Sequence, residues 1–458
     1  MKKILFSIRN KEIFSYHESV IENLSNNGYK VHLVFSENSN NDFFSIDPNP
    51  LERIIKLENV SHEFLKPKRN ILQKLNFIIR EIINYLNYYE KPYKKFNQHP
   101  FYQKRWEKTL PIFVRFIFTK LSIGKLRLVR RAFKLLASIF ESISGYPENH
   151  VKIINSFSPD MIIGTPCNLR FSEEIDFIKY GKNKNIYTII SVLSWDNLTT
   201  KGGFAVKPDM FFAWNETHRN ELIKFHKVNE NTISVCGSPF FDKWFNEKYQ
   251  SFDINEFENI MNIKSNQEYL LYLGSSKNLG KFDENIIDEL LNSIKVNNNK
   301  SINELILLIK PHSTHKNFLE KYSNHPNARI WNSNFKWIKD QSLFKYAFEN
   351  AKCSIGLNTT GMIDSVINNC PVISITHTKL KNEPTHSAIH FKNIIESEIY
   401  YLVNELDNFE KIFNNLKSNQ NKFNKNREAF ISKFVRPNGI KLNVGDITRK
   451  NIEINLNK

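Results

Sequence analysis

The sequence contains little cysteine and little glycine. Its 458 residues include only four Cys and 14 Gly. No two cysteines form a Cys-x-x-Cys pair, so the sequence indicates neither a zinc site of that type nor a disulfide framework. Free thiols are typical of a reducing compartment, and we therefore expect the protein to be cytoplasmic.

Long apolar runs are also missing. The N-terminal apolar run, residues 4–8, is shorter than the core of a secretory leader. The most apolar segment, residues 110–122, is interrupted by Arg115 and Lys120. Since a membrane-spanning helix needs about 20 apolar residues, we expect none in this chain.

The rest of the composition is that of a globular protein. The chain is 41% hydrophobic and 13% aromatic, with a net charge of +17, and its length predicts two to four domains. Residues 66–150 carry 18 Lys and Arg but 5 Asp and Glu, so this segment holds +13 of the excess. The chain has no helix-turn-helix, RNA-recognition or zinc signature, and we expect no binding to nucleic acid.

Apolar, β-branched segments alternate with helix-like segments along the chain. The strand-like segments are residues 3–8, 30–35, 53–57, 161–164, 187–193, 210–214, 269–273, 305–309, 354–357 and 372–375. This alternation predicts an α/β protein with two Rossmann-like, doubly wound parallel-sheet domains facing across a cleft. The predicted parts are a first domain (1–245), a linker (246–266), a second domain (267–420) and a C-terminal helix with a tail (421–458).

The basic segment 66–150 predicts a helical insertion in the first domain. Two of its stretches place apolar residues on one helical face: Leu72, Leu75, Ile79, Ile82, Ile83 and Leu86 in the first, and Leu126, Val129, Phe133, Leu136 and Phe140 in the second. Such amphipathic, basic helices bind anionic bilayers, which predicts peripheral contact with a membrane. A solvated helical face enriched in lysine explains the same pattern, and both interpretations stay open.

Small polar or cationic residues follow three predicted strands of the second half. Ligands of parallel sheets bind at the carboxyl ends of the strands, where a cation and a helix N-terminus together hold phosphate. Asp364, about one turn into the third helix, can accept from a ribose hydroxyl. The predicted donor-binding residues are Ser275, Ser276, Lys310, His312, Asn358, Thr359, Thr360, Gly361 and Asp364.

The order of these motifs resembles the donor-binding domain of GT-B glycosyltransferases, a family of two-domain enzymes. The opening strand with the loop of His17, and Gly237 with its neighbours, look like the acceptor domain of that superfamily. The segments 194–202 and 434–439 (Phe-Val-Arg-Pro-Asn-Gly) resemble a group of bacterial GT-B-like proteins that is related to the CDP-glycerol and Kdo transferases. The resemblance covers nearly the whole chain.

The resemblance implies a transferase that moves a sugar from a nucleotide donor to a cell-surface glycan or a lipid-linked acceptor. It implies that His17 acts as the catalytic base, while Asp196, which follows an apolar strand and should face the cleft, is the rival candidate. Contacts with sugar or acceptor are expected from Trp195, Asn197, His386 and His390. No Asp-x-Asp pair occurs in the chain, so we expect neither a metal nor another cofactor.

Three other functions stay open. A CDP-glycerol-type transferase would move a polyol phosphate instead of a sugar. A sugar-nucleotide 2-epimerase shares the fold but would need no acceptor. A basic nucleic-acid-binding or scaffolding protein would explain the charge without any catalysis.

Overall fold

The structure is a computed structural model, and it describes residues 1–36, 49–90, 99–247, 252–312, 318–333, 337–357, 359–376, 388–406 and 408–457. The strands are β1 (Lys3–Ile8), β2 (Lys30–Ser36), β3 (Val60–Leu65), β4 (Met161–Thr165), β5 (Tyr187–Ser191), β6 (Met210–Ala213), β7 (Ile233–Val235), β8 (Tyr269–Leu273), β9 (Ile306–Lys310), β10 (Ala328–Ile330), β11 (Ser354–Gly356), β12 (Val372–Ile375) and β13 (Tyr400–Val403).

The described helices are α1 (Lys11–Phe14), α2 (Glu18–Asn26), α3 (Asn49–Ile54), α4 (Ile71–Asn87), α5 (His99–Glu107), α6 (Ile112–Thr119), α7 (Arg127–Ile143), α8 (Glu148–Phe157), α9 (Glu174–Asn183), α10 (Asn197–Thr200), α11 (Glu216–His226), α12 (Ile254–Met261), α13 (Lys277–Gly280), α14 (Asp283–Lys295), α15 (Lys300–Asn303), α16 (Trp337–Asn350), α17 (Thr360–Ile367), α18 (Ile389–Ile395), α19 (Phe409–Ser418), α20 (Gln420–Phe430) and α21 (Val444–Leu456). Short 3-10 turns lie at Ile123–Lys125, Glu230–Thr232, Pro239–Phe245 and Leu319–Tyr322, and a π turn lies at Ile431–Val435.

The strands form two parallel sheets. The first sheet has seven strands in the order β3-β2-β1-β4-β5-β6-β7, and the second has six in the order β10-β9-β8-β11-β12-β13. Helices cover both faces, which is why the central strands read as nearly continuous apolar runs. The predicted class, two doubly wound α/β domains, is confirmed.

One predicted strand is wrong. Residues 53–57 were expected to form a strand, but helix α3 ends at Ile54 and the edge strand β3 begins at Val60. The middle of β3 is polar and partly exposed, so it lacks the apolar run of a central strand. The predicted linker contains α12, whose Phe257 and Met261 are buried in the core of the second domain.

The C-terminal segment also differs from the prediction of a tail. Residues 444–456 form α21, which packs on α2 of the first domain. Val444 and Ile452, eight residues apart on one helical face, are fully buried. Most residues between them are polar, so the sequence shows no clear apolar pattern for this helix. The chain therefore ends on the domain in which it begins.

The insertion is helical, as predicted, and buried ion pairs hold it on the first domain. Arg80 of α4 contacts Asp176 of α9 at 2.7 Å and Glu141 of α7 at 2.9 Å. Arg69 contacts Asp176 at 2.6 Å and also bonds to Glu173. Because buried charges need partners of opposite sign, this network fixes where α4 lies on the domain.

The two domains share one apolar core cluster. Trp195, Trp214, Phe241 and Trp244 of the first domain belong to the same cluster as the central strands of the second. Their packing joins the carboxyl edges of the two sheets. Among the described residues, none of the helices combines the length and the hydropathy that crossing a membrane requires.

Candidate functional site

Three predicted donor motifs lie side by side at the carboxyl edge of the second sheet. They follow β8, β9 and β11, and β8 lies between the other two. The Gly274 N–H donates to the Lys310 carbonyl at 2.8 Å. A Cβ on Gly274 would lie 2.8 Å from the backbone N of His312. This close approach requires glycine, and it brings the first motif against the Lys-Pro-His motif.

Two hydroxyl groups at this edge are buried with no partner among the described residues. They are the Oγ of Ser275 and the Oγ1 of Thr359. The Ser275 N–H is already used, since it donates to the Asp283 carboxylate at 2.8 Å. Ser276, by contrast, is exposed. Buried polar groups are normally paired, so unpaired hydroxyls at the ends of adjacent strands indicate room for a polar ligand.

Lys310 supplies a cation beside these hydroxyls. Its half-buried ammonium group lies 4.7 Å from the ring centre of Phe344 and 5.0 Å from that of Trp331. It also acts electrostatically on the Asp364 carboxylate. A cation held against aromatic rings at a strand end is well placed to meet a phosphate.

Asp364 has a second role that the sequence did not indicate. Its Oδ1 accepts a hydrogen bond from the Trp244 Nε1 at 2.6 Å, across the boundary between the domains. Burial raises the pKa of this carboxyl, while the charge of Lys243 opposes the change. One carboxylate oxygen therefore joins the domains, and the role of Asp364 toward ribose stays a prediction.

On the first domain, Asp196 follows β5 and lies in a polar pocket. Its carboxylate accepts hydrogen bonds from Ser194 Oγ at 2.6 Å and Thr200 Oγ1 at 2.9 Å, and it pairs with Lys201 Nζ at 3.2 Å. Burial opposes ionisation, but Lys201, His390 and these hydroxyls together hold the pKa of Asp196 well below its usual range. The side chain is 26% exposed, so an ionised carboxylate here can still be reached.

Trp195 and His390 meet where the two domains touch. The Trp195 Nε1 donates to Thr360 Oγ1 at 3.3 Å. The centres of the Trp195 and His390 rings lie 4.9 Å apart. His390 Nδ1 lies 3.4 Å from Thr199 Oγ1. Burial lowers the pKa of His390 to about 4, so its imidazole is neutral at pH 7. Both residues line the domain boundary, largely buried.

His17 and Asn197 are both buried side chains. His17 is 2% exposed, and its Nε2 lies 2.9 Å from Thr165 Oγ1. Burial lowers the pKa of His17 to about 3, which keeps the ring neutral. Asn197 is buried and donates to Asn168 Oδ1 at 3.0 Å. Asp196 is partly exposed while His17 is buried, and the role of either residue as the base stays a prediction.

Two predicted residues, Asn358 and His386, lie outside the described residues. The structure does describe the residues that follow Asn358 in the predicted donor motif. Thr359 directly precedes α17, and Gly361 is the second residue of that helix. A Cβ on Gly361 would meet its neighbours at 3.5 Å, an ordinary contact distance. Close backbone approach therefore does not explain glycine at this position.

Sequence reasoning missed Tyr16 and Glu221. The Tyr16 ring stacks on that of Phe240, with the ring centres 4.2 Å apart. Burial raises the pKa of the Tyr16 hydroxyl, and the negative charges of Asp196 and Asp364 raise it further. Glu221 of α11 is buried, one of its carboxyl oxygens has no partner among the described residues, and burial raises its pKa to about 8. In the sequence, the only indication of a role for Tyr16 is its position directly before the candidate base His17.

Three arginines gather at the carboxyl edge of the first sheet. Arg9 directly follows β1 and donates to the Arg170 carbonyl at 2.8 Å, while its Nη1 is buried with no partner among the described residues. Burial, and the charges of Arg105 and Arg9, lower the pKa of Arg170, while the buried Glu81 carboxyl of α4 opposes this change. Mutual repulsion of this kind is relieved by a bound anion.

One group among the described residues has the spacing of metal ligands: His150, Glu173 and Asp176. The Arg69 guanidinium already pairs with both of these carboxylates, and Arg80 pairs with Asp176. The guanidinium groups of Arg69 and Arg80 already supply the positive charge that a metal cation would otherwise provide. This cluster is the ion-pair network that anchors the insertion.

Neither a protein family model nor a curated protein sequence matches this chain. Solved structures do match over nearly all of it. The UDP-GlcNAc 2-epimerase of Neisseria meningitidis bound to UDP-GlcNAc is 12% identical with a TM-score of 0.54, covering 99% of this chain and 100% of that one. The fold is GT-B.

Two further solved structures agree. The UDP-GlcNAc 2-epimerase of Methanocaldococcus jannaschii, in complex with UDP-GlcNAc and UDP, is 14% identical with a TM-score of 0.53, and the match covers 100% of both chains. The S. aureus protein MnaA with UDP is 11% identical with a TM-score of 0.53, covering 100% of this chain and 98% of that one. At such identities the likeness concerns the fold alone.

Proposed function

We propose that the protein is a transferase that moves a sugar, or a polyol phosphate, from a nucleotide-activated donor to a hydroxyl acceptor. The observation that carries this proposal is the grouping of Ser275, Lys310 and Thr359 at the ends of three adjacent strands. Unpaired buried hydroxyls, a cation and the first N–H groups of α17 suit a diphosphate. The GT-B structures solved with UDP or UDP-GlcNAc support a nucleotide as the ligand.

In this proposal the second domain stabilises the leaving group. The bond from the transferred group to the donor phosphate breaks, and negative charge grows on the departing phosphate oxygen. Lys310 and the N–H groups at the start of α17 compensate that charge without needing to reorganise. The acceptor hydroxyl forms the new bond and gives its proton to a base on the first domain.

Asp196 is the better placed of the two candidate bases. It is ionised and partly exposed, whereas His17 is buried and bonded to Thr165. A carboxylate with a strongly lowered pKa is a weak base, but an acceptor that displaces Lys201 removes the largest factor that lowers it. Proton transfer would then depend on acceptor binding. If Asp196→Asn and His17→Gln both retained full transfer, neither residue is the base.

The acceptor proposed here carries a negative charge. Arg9, Arg105 and Arg170 lie at the edge of the sheet where Asp196 also lies, and Tyr102 of α5 is close enough to sense the Asp196 charge. A phosphate-bearing, lipid-linked or cell-surface glycan acceptor fits this cluster. The four cysteines are buried free thiols, which supports the cytoplasm as the location of the reaction.

Thermal shift with UDP, CDP, CMP and GDP, and with their sugar or polyol derivatives, tests the donor site. We expect nucleotides of one base to raise the unfolding temperature of the native protein and of Lys300→Ala, and to raise that of Lys310→Ala clearly less at the same concentration. Lys300 is a suitable control because its side chain is exposed on α15. The proposal fails if no nucleotide stabilises the protein, a result that would favour a scaffold.

Epimerisation is the second candidate, because two of the solved structures named above are UDP-GlcNAc 2-epimerases that match nearly the whole chain. Incubation with the stabilising nucleotide sugar, without an acceptor, separates the two. An epimerase converts the free nucleotide sugar, which NMR detects directly. A transferase leaves the sugar unchanged until an acceptor is added.

A further inference from the structure

The insertion exposes an unusual number of large apolar side chains. Residues 112–143, from α6 to the end of α7, hold ten of the 22 that are exposed among the described residues. They are Ile112, Phe113, Phe116, Leu121, Leu126, Leu128, Leu135, Leu136, Ile139 and Ile143. Three more, Ile71, Leu72 and Leu75, lie at the start of α4, which packs on α7.

Helix α7 is apolar on two faces, and only one of them is packed. Phe133 lies 5.1 Å from the Phe118 ring of α6, so this face joins the two helices. Leu128, Leu135 and Ile139 recur at the spacing of one helical face and remain exposed. The residue that α7 buries most deeply is Arg130, which donates to the carbonyls of Gly124 and Lys125.

Cations surround this apolar face. Residues 112–143 contain seven Lys and Arg but one acidic residue, Glu141, which is already paired with Arg80. Lys120, Lys125, Arg127 and Arg131 are exposed. Apolar side chains bordered by Lys and Arg are the composition of helices that lie in the interface of an anionic bilayer.

We propose that the surface formed by residues 112–143, the α6–α7 surface, docks on an anionic lipid bilayer. Its Phe, Leu and Ile side chains enter the boundary between headgroups and acyl chains, and its lysines and arginines contact the lipid phosphates. Charge favours lipid over a second copy of the chain, because two copies would bring two basic surfaces together. Exposed Phe and Leu at this density also do not suit a nucleic-acid backbone.

Docking would also orient the acceptor side of the molecule. The same insertion carries Tyr102 and Arg105, which lie near Asp196 and Arg170. Membrane binding would therefore hold the domain that carries the arginine cluster at the lipid surface. This consequence rests on the proposed function, whereas the binding itself does not.

Sedimentation with lipid vesicles tests the proposal. The full chain is mixed with phosphatidylcholine vesicles, or with vesicles that also contain phosphatidylglycerol, and we expect binding to the anionic vesicles alone. The double variants Phe113→Ser/Phe116→Ser and Leu135→Ser/Ile139→Ser should lower the partition coefficient about tenfold or more. Arg127→Glu/Arg131→Glu should remove the preference for anionic lipid.

The matched control is Val296→Ser/Leu442→Ser, which removes two equally exposed apolar side chains elsewhere and should bind as the native protein does. The proposal is overturned if the native protein binds neither kind of vesicle. It is also overturned if the serine variants of the α6–α7 surface bind as this control does. A dimer in light scattering that the serine variants dissociate would overturn it too, since the surface would then be a contact between copies. Nucleotide-induced thermal shift, measured on the same variants, should be unchanged and reports separately on the proposed function.

Discussion

The Trp244 indole donates a hydrogen bond of 2.6 Å to the Asp364 carboxylate, and this contact joins two domains through residues 120 positions apart. Trp244 lies in the 3-10 turn Pro239–Phe245, and Asp364 lies on α17, the helix that begins at the predicted donor motif. The same carboxylate therefore belongs both to the proposed donor site and to the contact between the two domains.

Replacing Trp244 with Phe should destabilise the protein. An aromatic ring is kept, although phenyl is smaller than indole, and the buried Asp364 carboxylate loses its closest donor, a loss that costs about 1–3 kcal/mol. Asp364→Asn keeps an acceptor oxygen and should lose less. Denaturant midpoints of the three proteins provide the measurement, and an unchanged midpoint for Trp244→Phe would show that the bond contributes nothing.

Gly274→Ala should abolish nucleotide binding. The new Cβ would lie 2.8 Å from the His312 backbone N and 3.0 Å from the Pro311 Cα, so the ends of β8 and β9 must separate. Gly361→Ala, in the neighbouring motif, meets only ordinary contacts at 3.5 Å and should bind as the native protein does. Thermal shift with the stabilising nucleotide compares the two, and equal shifts would contradict this account of Gly274.

Lys310→Ala should weaken binding of the donor nucleotide by about tenfold to a hundredfold, the range expected when one charge-assisted contact to phosphate is lost. The effect should shrink at high salt, since the contact is electrostatic. Isothermal titration calorimetry measures it. Nucleoside without phosphate should bind both proteins equally, and a matching loss of nucleoside affinity would mean that Lys310 supports the fold instead.

Glu221→Gln should change how stability depends on pH. Burial raises the pKa of Glu221 from 4.5 to about 8, with a contribution from the Asp196 charge and opposition from Lys224. The native state therefore holds a proton that the unfolded state releases above pH 4.5. The stability that Glu221 provides is complete below that pH and is lost as pH rises toward 8.

Gln does not titrate, so the free energy of unfolding of the variant should rise relative to that of the native protein as pH increases from 4.5 to 8. The gain should approach about 1.4 kcal/mol per pH unit within that window and then level off. Unfolding midpoints across this range provide the measurement. Parallel curves for the two proteins would show that Glu221 titrates normally.

Much of the candidate donor site could be predicted from the sequence because it depends on local order. Lys310 ends a buried apolar strand, and Thr359 follows another, so both had to lie at the carboxyl edge of a parallel sheet. The burial of His17 could not be predicted in the same way. It depends on the contact of His17 with Thr165 of β4, which lies 148 positions further along the chain.

The sequence by itself determined the two parallel sheets and the order of the motifs at their strand ends, because strands buried on both faces must be apolar throughout. Only the tertiary structure decided which surfaces remain open and which charges are paired. The Arg436–Asp242 ion pair spans 194 positions and returns the chain to its first domain. Likewise, α7 has two apolar faces, and only the packing of its neighbours decides which one meets solvent.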